Sequence, residues 1–150
     1  KKTSLNSTAL RAIVLDSCCI LGLSRNMSSP QEIATAFIQH YYQTLDSNPD
    51  ALAGLYVEAS TFTMEGNQHQ GPGAIVAALK APGQMQHDCA NLSIDTQLSV
   101  NPNAMVILVT GKLKLVSQEN PLQFSQMFQL VASGPGQYHL HNDCLRLVYS

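Results

Sequence analysis

Charged residues are scarce in this sequence. Only 12% of the 150 residues are Asp, Glu, Lys or Arg, against about 25% in an average soluble protein. The formal net charge of −2 excludes the basic surface of a typical nucleic-acid-binding domain. Hydrophobic residues make up 45% of the sequence. This composition argues against an intrinsically disordered protein, which has few hydrophobic residues and a high net charge. A length of 150 residues is typical of a single domain that is large enough to bury a hydrophobic core.

Motifs that hold metals, phosphates or membranes are also lacking. The four cysteines, Cys18, Cys19, Cys89 and Cys144, form no CxxC pair, which favours a reduced compartment over a disulfide scaffold. The GPG segments at 71–73 and 134–136 lack the continuation of a phosphate-binding loop and predict turns. No apolar run reaches the roughly 18 residues of a membrane span. We therefore expect no metal, no cofactor and no membrane span.

The first 26 residues differ from the rest of the chain. Residues 1–26 carry a net charge of +3, whereas residues 27–150 contain four basic and nine acidic side chains. Three interpretations remain open for this leader: a signal or transit peptide, an added segment before a start at Met27, or a native extension. We expect the domain to comprise residues 27–150.

The body reads as helices followed by strands. Ser29, Pro30 and Glu32 form the start of a long helix with a capping box, and short helices are predicted at 51–56 and 74–80. After a short strand at 60–64, alternating apolar residues predict long strands from His87 onward. This order predicts an α+β fold, in which a strongly curved antiparallel sheet wraps one long and two short helices into a cone.

Several polar side chains are candidates for chemistry. His139, His141 and Asp143 are expected on one face of the last strand, but two imidazoles and a carboxylate fall short of a closed zinc site. Polar surface or interface residues are the simpler interpretation. Inside a cone, tyrosines with an acid or histidine can form an acid–base site. No spacing fixes such a pair among the candidates Tyr41, Tyr42, Tyr56, His87 and Asp95.

Many dispersed matches in chain order resemble one family. They include FIQHYY at 37–42, TMEG at 63–66, QH at 86–87, TGKL at 110–113, FSQMF at 124–128 and NDCLRL at 142–147. With these, residues 30–149 resemble the nuclear transport factor 2 family, and residues 1–26 have no counterpart. The resemblance implies a non-catalytic homodimer that carries GDP-bound Ran into the nucleus and binds FxFG repeats of nuclear pore proteins. It implies a location in the cytoplasm, the nucleus and the nuclear pore.

The resemblance also implies a Ran-binding site at the mouth of the cone. An acid there pairs with a basic side chain of the GTPase, and Glu65 stands at that position. The other residues expected around the mouth are Met64, Met85, His87, Leu145 and Arg146. The family usually has tryptophan at the position of Met64, and it has clustered acids in the loop where this chain keeps only Glu119. The lost acids predict weaker binding of Ran.

Apolar residues on both faces of two long strands predict a dimer. Residues 104–116 and 122–131 are apolar at odd and even positions, whereas a face in contact with water would be polar. We expect Met127 and Cys144 in the interface. Two alternatives remain open: an adapter of the same fold that binds phenylalanine-containing peptides or a heterodimer partner in RNA export, and a small-molecule enzyme.

Overall fold

The computed structural model describes residues 29–149. The predicted leader, residues 1–26, lies outside the described residues. Helix α1 covers Pro30–Ser47 and begins with the predicted capping box, in which the Ser29 side chain accepts from the Glu32 N–H and Glu32 accepts from the Ser29 N–H. Within the described range, no helix combines the length and apolar character needed to cross a membrane.

The remaining elements follow the predicted order. Two 3-10 helices cover Pro49–Leu55 and Cys89–Asn91, and helix α2 covers Pro72–Lys80. The strands are β1 (Tyr56–Met64), β2 (Asn67–Gln70), β3 (Met85–His87), β4 (Ser93–Leu98), β5 (Ala104–Leu115), β6 (Leu122–Gly134) and β7 (Gln137–Val148). The predicted short helix at 51–56 is therefore a 3-10 helix that begins two residues earlier.

The strands form one curved, unclosed sheet in the order β2-β1-β7-β6-β5-β3, with β4 also paired to β5. The predicted α+β class is confirmed, but the sheet is mixed, because β1 runs parallel to β7. Alternation in sequence shows which residues face the core. It does not show the direction in which strands distant in sequence pair, since no hairpin turn joins them.

The core lies between α1 and the concave inner face of the sheet. Phe128 of β6 is fully buried, and its ring meets those of Phe37 and Tyr41 at centroid distances of 6.0 and 4.9 Å. Both contacts are edge-to-face, a favourable arrangement of two aromatic rings. Burial of this aromatic face holds the helix across the sheet.

A register shift in β7 changes one prediction. Leu140 is buried and pairs with Leu130, while Asn142 pairs with Gln129, so β7 has one extra residue, His141, at this point. A bulge of this kind reverses the alternation of side chains beyond it. Asp143 is therefore buried on the inner face, and the expectation that it shares a face with His139 and His141 is wrong.

Asp143 is the centre of a buried polar network. Its carboxylate accepts hydrogen bonds from Tyr56 Oη at 2.8 Å, Gln126 Nε2 at 2.7 Å and Tyr41 Oη at 3.3 Å. Tyr42 Oη donates to Gln126 Oε1 at 2.8 Å. Among the described residues, no buried side-chain nitrogen or oxygen lacks a partner. The network is therefore closed, as a buried polar cluster must be to avoid a large desolvation cost.

This network makes stability depend on pH. Burial raises the pKa of Asp143 from 3.8 to about 7, while the hydrogen bonds from Gln126, Tyr56 and Tyr41 act in the opposite direction. The folded state therefore holds this proton more tightly than the unfolded state does. Its contribution to stability is complete below the unfolded pKa and is lost as pH rises through about 7.

We expect Asp143→Asn to remove this dependence, because the amide keeps the shape and cannot ionise. Between pH 5 and 8, wild-type stability should fall more steeply than that of the variant, by up to about 1.4 kcal/mol per pH unit. Urea unfolding at several pH values measures the difference. The exposed substitution Asp95→Asn is the control and should follow the wild type. Parallel curves for wild type and Asp143→Asn would contradict the prediction.

Candidate functional site

The predicted site residues Met64 and Leu145 lie side by side at one end of the sheet. Met64 ends β1 and pairs with Leu145 of the parallel strand β7. Leu145 is buried, and Met64 is half-buried against the core. Strand β6 runs antiparallel to both β7 and β5. The same end of the sheet therefore also holds Leu122 at the start of β6 and Leu115 at the end of β5.

Met85 joins this group from the edge strand β3. It pairs with Leu115 of β5 and is buried in the same core cluster. We call the set Met64, Met85, Leu115, Leu122 and Leu145 the apolar end of the cone. Its members come from five strands, so only the fold brings them together. By register, Met64 and Leu145 are direct neighbours, whereas Met85 lies opposite Leu115, six residues farther along β5 than Val109 in their row. The structure therefore brings Met64 and Leu145 together and places Met85 apart from them, farther toward the same end of the sheet.

Glu65 lies beside the apolar end, in the turn that joins β1 to β2. Its φ is +50° and that of Gly66 is +87°, as in a two-residue hairpin turn with both central residues at positive φ. The Glu65 N–H donates to the Leu145 carbonyl at 3.3 Å, and its Oε1 accepts from the Leu147 N–H. These contacts with β7 fix the position of the carboxylate.

The second carboxylate oxygen of Glu65 faces Arg146. Arg146 Nη1 lies 3.5 Å from Glu65 Oε2, and the Arg146 side chain is 64% exposed. An exposed ion pair at this distance contributes little, about 0–1 kcal/mol. An incoming cation can therefore replace Arg146 at small cost, which suits Glu65 to receive a basic side chain from a partner.

His87 occupies a different environment from the other predicted site residues. Its side chain is only 1% exposed, and its ring stacks on Tyr42 at a centroid distance of 4.5 Å. The Asp46 carboxylate contacts both His87 Nδ1, at 2.6 Å, and the His87 N–H, at 2.7 Å. His87 therefore holds β3, and with it Met85, against the end of α1. No local pattern in the sequence indicated the contact of Asp46 with His87.

The two predicted interface residues are neighbours on the outer face of the sheet. Met127 of β6 pairs with Cys144 of β7 and, on its other side, with Leu108 of β5. Leu108 is 44% exposed, an unusual value for leucine in the middle of a long strand. We call the row Leu108, Met127 and Cys144 the outer apolar row. It lies on the opposite side of the sheet from α1.

The described residues contain no group of three or more His, Cys, Asp or Glu side chains placed to hold a metal ion. The tyrosines suggested for acid–base chemistry, Tyr41 and Tyr56, meet Asp143, but all these groups bond to one another. Asp95 is exposed on β4 and stands apart from them. The interior thus holds a structural network, and the apolar end with Glu65 is the stronger candidate for recognition.

Comparison with known proteins agrees with this geometry. The nuclear transport factor 2 (NTF2) domain family matches residues 33–147. Nuclear transport factor 2B of Arabidopsis thaliana is 40% identical over 121 residues, which cover 81% of this chain and 96% of that protein. Nuclear transport factor 2 of Oryza sativa subsp. japonica is 41% identical over 119 residues, 78% of this chain and 95% of that protein.

Solved structures show the same fold. The nuclear transport factor 2 of Cryptosporidium parvum superposes with a TM-score of 0.69 at 37% identity, covering 83% of this chain and all of that one. A complex of Mtr2 with the Mex67 M domain from C. albicans gives 0.70 at 17% identity, which supports the fold alone. The matched residues include both the apolar end and the outer apolar row, and the chain belongs to the nuclear transport factor 2 family.

Proposed function

We propose that this chain is a nucleocytoplasmic transport carrier that binds GDP-bound Ran and brings it into the nucleus. The family relationship supports the carrier role. One observation supports the binding site: Glu65 is fixed beside the apolar end, and its only side-chain ion pair in the described structure is with the exposed Arg146. A carboxylate at the edge of an apolar surface matches a partner segment that combines an aromatic and a basic residue.

The apolar and charged parts contribute differently to this recognition. Met64 is half-buried and offers apolar surface to an aromatic side chain, while the buried Met85 and Leu145 belong to the core cluster against which Met64 packs. Burial of that aromatic side chain supplies most of the affinity. Glu65 sets the orientation by pairing with the basic side chain. The nucleotide changes the shape of the GTPase switch segment, so selectivity for the GDP form arises in Ran. His87 acts indirectly, because its ring is buried and holds β3.

The loop between β5 and β6 sets a limit on the affinity. Within residues 116–121 the only charged side chain is Glu119, which is exposed. Fewer acids there reduce the attraction of a basic switch segment, which acts mainly on the rate of association. We therefore propose a carrier of lower affinity for Ran than one with an acidic loop.

The carrier is proposed to act without catalysis and to work in the cytoplasm, in the nucleus and at the nuclear pore. The buried Asp143 and its tyrosine partners bond to one another, which supports a structural role. Transit through the pore requires contacts with pore proteins, and we propose FxFG repeats as these partners. An exposed apolar patch on a soluble protein often marks an interaction site, and phenylalanine side chains are suited to such a patch.

We further propose a homodimer formed through the outer apolar row. Leu108, Met127 and Cys144 lie in register across three strands, and Leu108 is 44% exposed in the single chain. A second copy that covers this row removes its apolar surface from water. The same face on both copies gives a symmetric contact, the commonest arrangement in homodimers.

The Ran site is tested with Glu65→Lys. We expect at least a tenfold loss in capture of GDP-bound Ran, because the substitution brings like charges together at the edge of the apolar end. Pull-down of purified Ran loaded with GDP or GTP measures this, and wild type should capture only the GDP form. Glu58→Lys makes the same charge change at an exposed position of β1, seven residues from Glu65, and should bind as wild type does. Capture of neither form by the wild type would show the carrier proposal to be wrong.

The dimer is tested with Met127→Glu. Burial of an unpaired carboxylate in the outer apolar row costs several kcal/mol, so the variant should be monomeric at micromolar concentration, where wild type is a dimer. Light scattering gives the mass directly. Gln68→Glu adds the same charge to the exposed strand β2 and should leave the dimer intact. A wild-type monomer would refute the proposed dimer.

One alternative is a non-catalytic adapter of the same fold, which binds phenylalanine-containing peptides or a heterodimer partner in RNA export. The loss of acids in the loop 116–120 favours it, because it removes attraction for a basic switch segment while leaving apolar surface. Calorimetric titration with an FxFG peptide and with GDP-bound Ran separates the two proposals. The carrier binds both ligands, whereas the adapter binds the peptide and not Ran.

A further inference from the structure

Two histidines on the outer face have no part in the proposed Ran site. The rings of His139 and His141 on β7 lie 6.5 Å apart between centroids, at an angle of 77°. Both side chains are half-buried. Ser133 Oγ lies 2.6 Å from His139 Nδ1. The buried Leu140 between them points inward, so the two imidazoles point outward, to the same side as the outer apolar row.

The histidines continue the surface of the outer apolar row. His139 pairs with Val131 of β6, four residues along the strand from Met127. Four residues of a strand span about 13 Å. A standard interface buries about 800 Å² on each partner, which corresponds to a disc of about 16 Å radius. A dimer centred on Met127 therefore reaches the two imidazoles.

We propose that His139 and His141 belong to the interface between two copies of this chain and must both be neutral there, so that the dimer dissociates in mild acid. This inference rests on the proposed homodimer. It adds a pH-dependent control to that interface, exerted by two side chains that make no contact with the Ran site.

The surroundings of the imidazoles favour the neutral form. Burial and the neighbouring His141 lower the pKa of His139. The β6 residues Gln129, Val131 and Ser133 beside this part of β7 are uncharged. A second copy removes further water, and protonation of both rings would place two positive charges side by side without a carboxylate between them.

The nearest carboxylates are directed elsewhere. Glu58 of β1 approaches Gly71 at the start of α2, where its Oε2 would lie 3.3 Å from a Cβ on that glycine. Asp143 points inward into its own network, and the Glu65 carboxylate pairs with Arg146. Asp95, exposed on β4, pairs with Leu108 and lies three strands away from β7. Within one chain no described carboxylate faces the two imidazoles, so compensation of their charges would have to come from solvent, which the interface excludes.

Protonation of the two histidines therefore weakens the dimer. The histidines of the free chain bind protons more readily than those of the dimer, so acid favours the free chain. A difference of about one pKa unit at one histidine in each of the two copies weakens the dimer about a hundredfold once pH is below both values. Contributions from both histidines enlarge the effect.

Sedimentation velocity at pH 7.5 and 5.5 tests the proposal on the full chain. Wild type should be a dimer at pH 7.5, with a dissociation constant at least tenfold higher at pH 5.5. The double variant His139→Asn/His141→Asn keeps polar side chains that cannot be charged, and its constant should change less than threefold. Asp143→Asn is the control for a buried group whose pKa of about 7 also lies in this range, and it should keep the wild-type response. Circular dichroism checks that each variant stays folded.

The outcomes are distinguishable. A wild type that is monomeric at pH 7.5 overturns the homodimer and this inference with it. A wild-type dimer of equal affinity at both pH values overturns the role of the histidines and leaves the homodimer standing. Acid dissociation that persists in the double variant assigns the effect to another group and also overturns the proposal.

Discussion

The whole architecture depends on burying the aromatic face of one long helix. Helix α1 is the only element of the described residues that crosses the inner face of the sheet over many strands, and Phe37, Tyr41 and Tyr42 of this helix are buried. The hydroxyl groups of Tyr41 and Tyr42 must find partners in the interior, and Asp143 and Gln126 supply them. Apolar packing and a closed polar network thus act together, because aromatic packing brings the phenolic oxygens inside and the network removes their desolvation cost.

Strand β7 connects the interior with both candidate surfaces. Asp143 points into the core network, Cys144 points to the outer apolar row, Leu145 belongs to the apolar end, and Arg146 faces Glu65. Four consecutive residues thus serve four different environments. The alternation of a strand makes this possible, and the bulge at His141 decides which residue serves which environment.

Much of the fold could be predicted from local sequence. The capping box of α1 and the alternation in β5 and β6 are local signals, and the structure contains both. The parallel pairing of β1 with β7 and the bulge in β7 involve residues distant in sequence, and no local pattern indicated them. The contact of Asp46 with His87 joins residues 41 positions apart and escaped prediction for the same reason. Resemblance indicated three residues of the apolar end, Met64, Met85 and Leu145, whereas periodicity alone indicates only which residues are buried.

The turn at Glu65 has a consequence for how stability and recognition are balanced. A residue with a Cβ at φ of +50° is strained by about 1 kcal/mol relative to glycine. The turn would accept glycine or asparagine there with less strain, and neither would carry a charge. Here the backbone remains in a less favourable conformation so that a carboxylate stands at the edge of the apolar end. This hairpin is therefore less stable than it could be, and the strain holds a negative charge at the edge of the apolar end, where we propose that a partner binds.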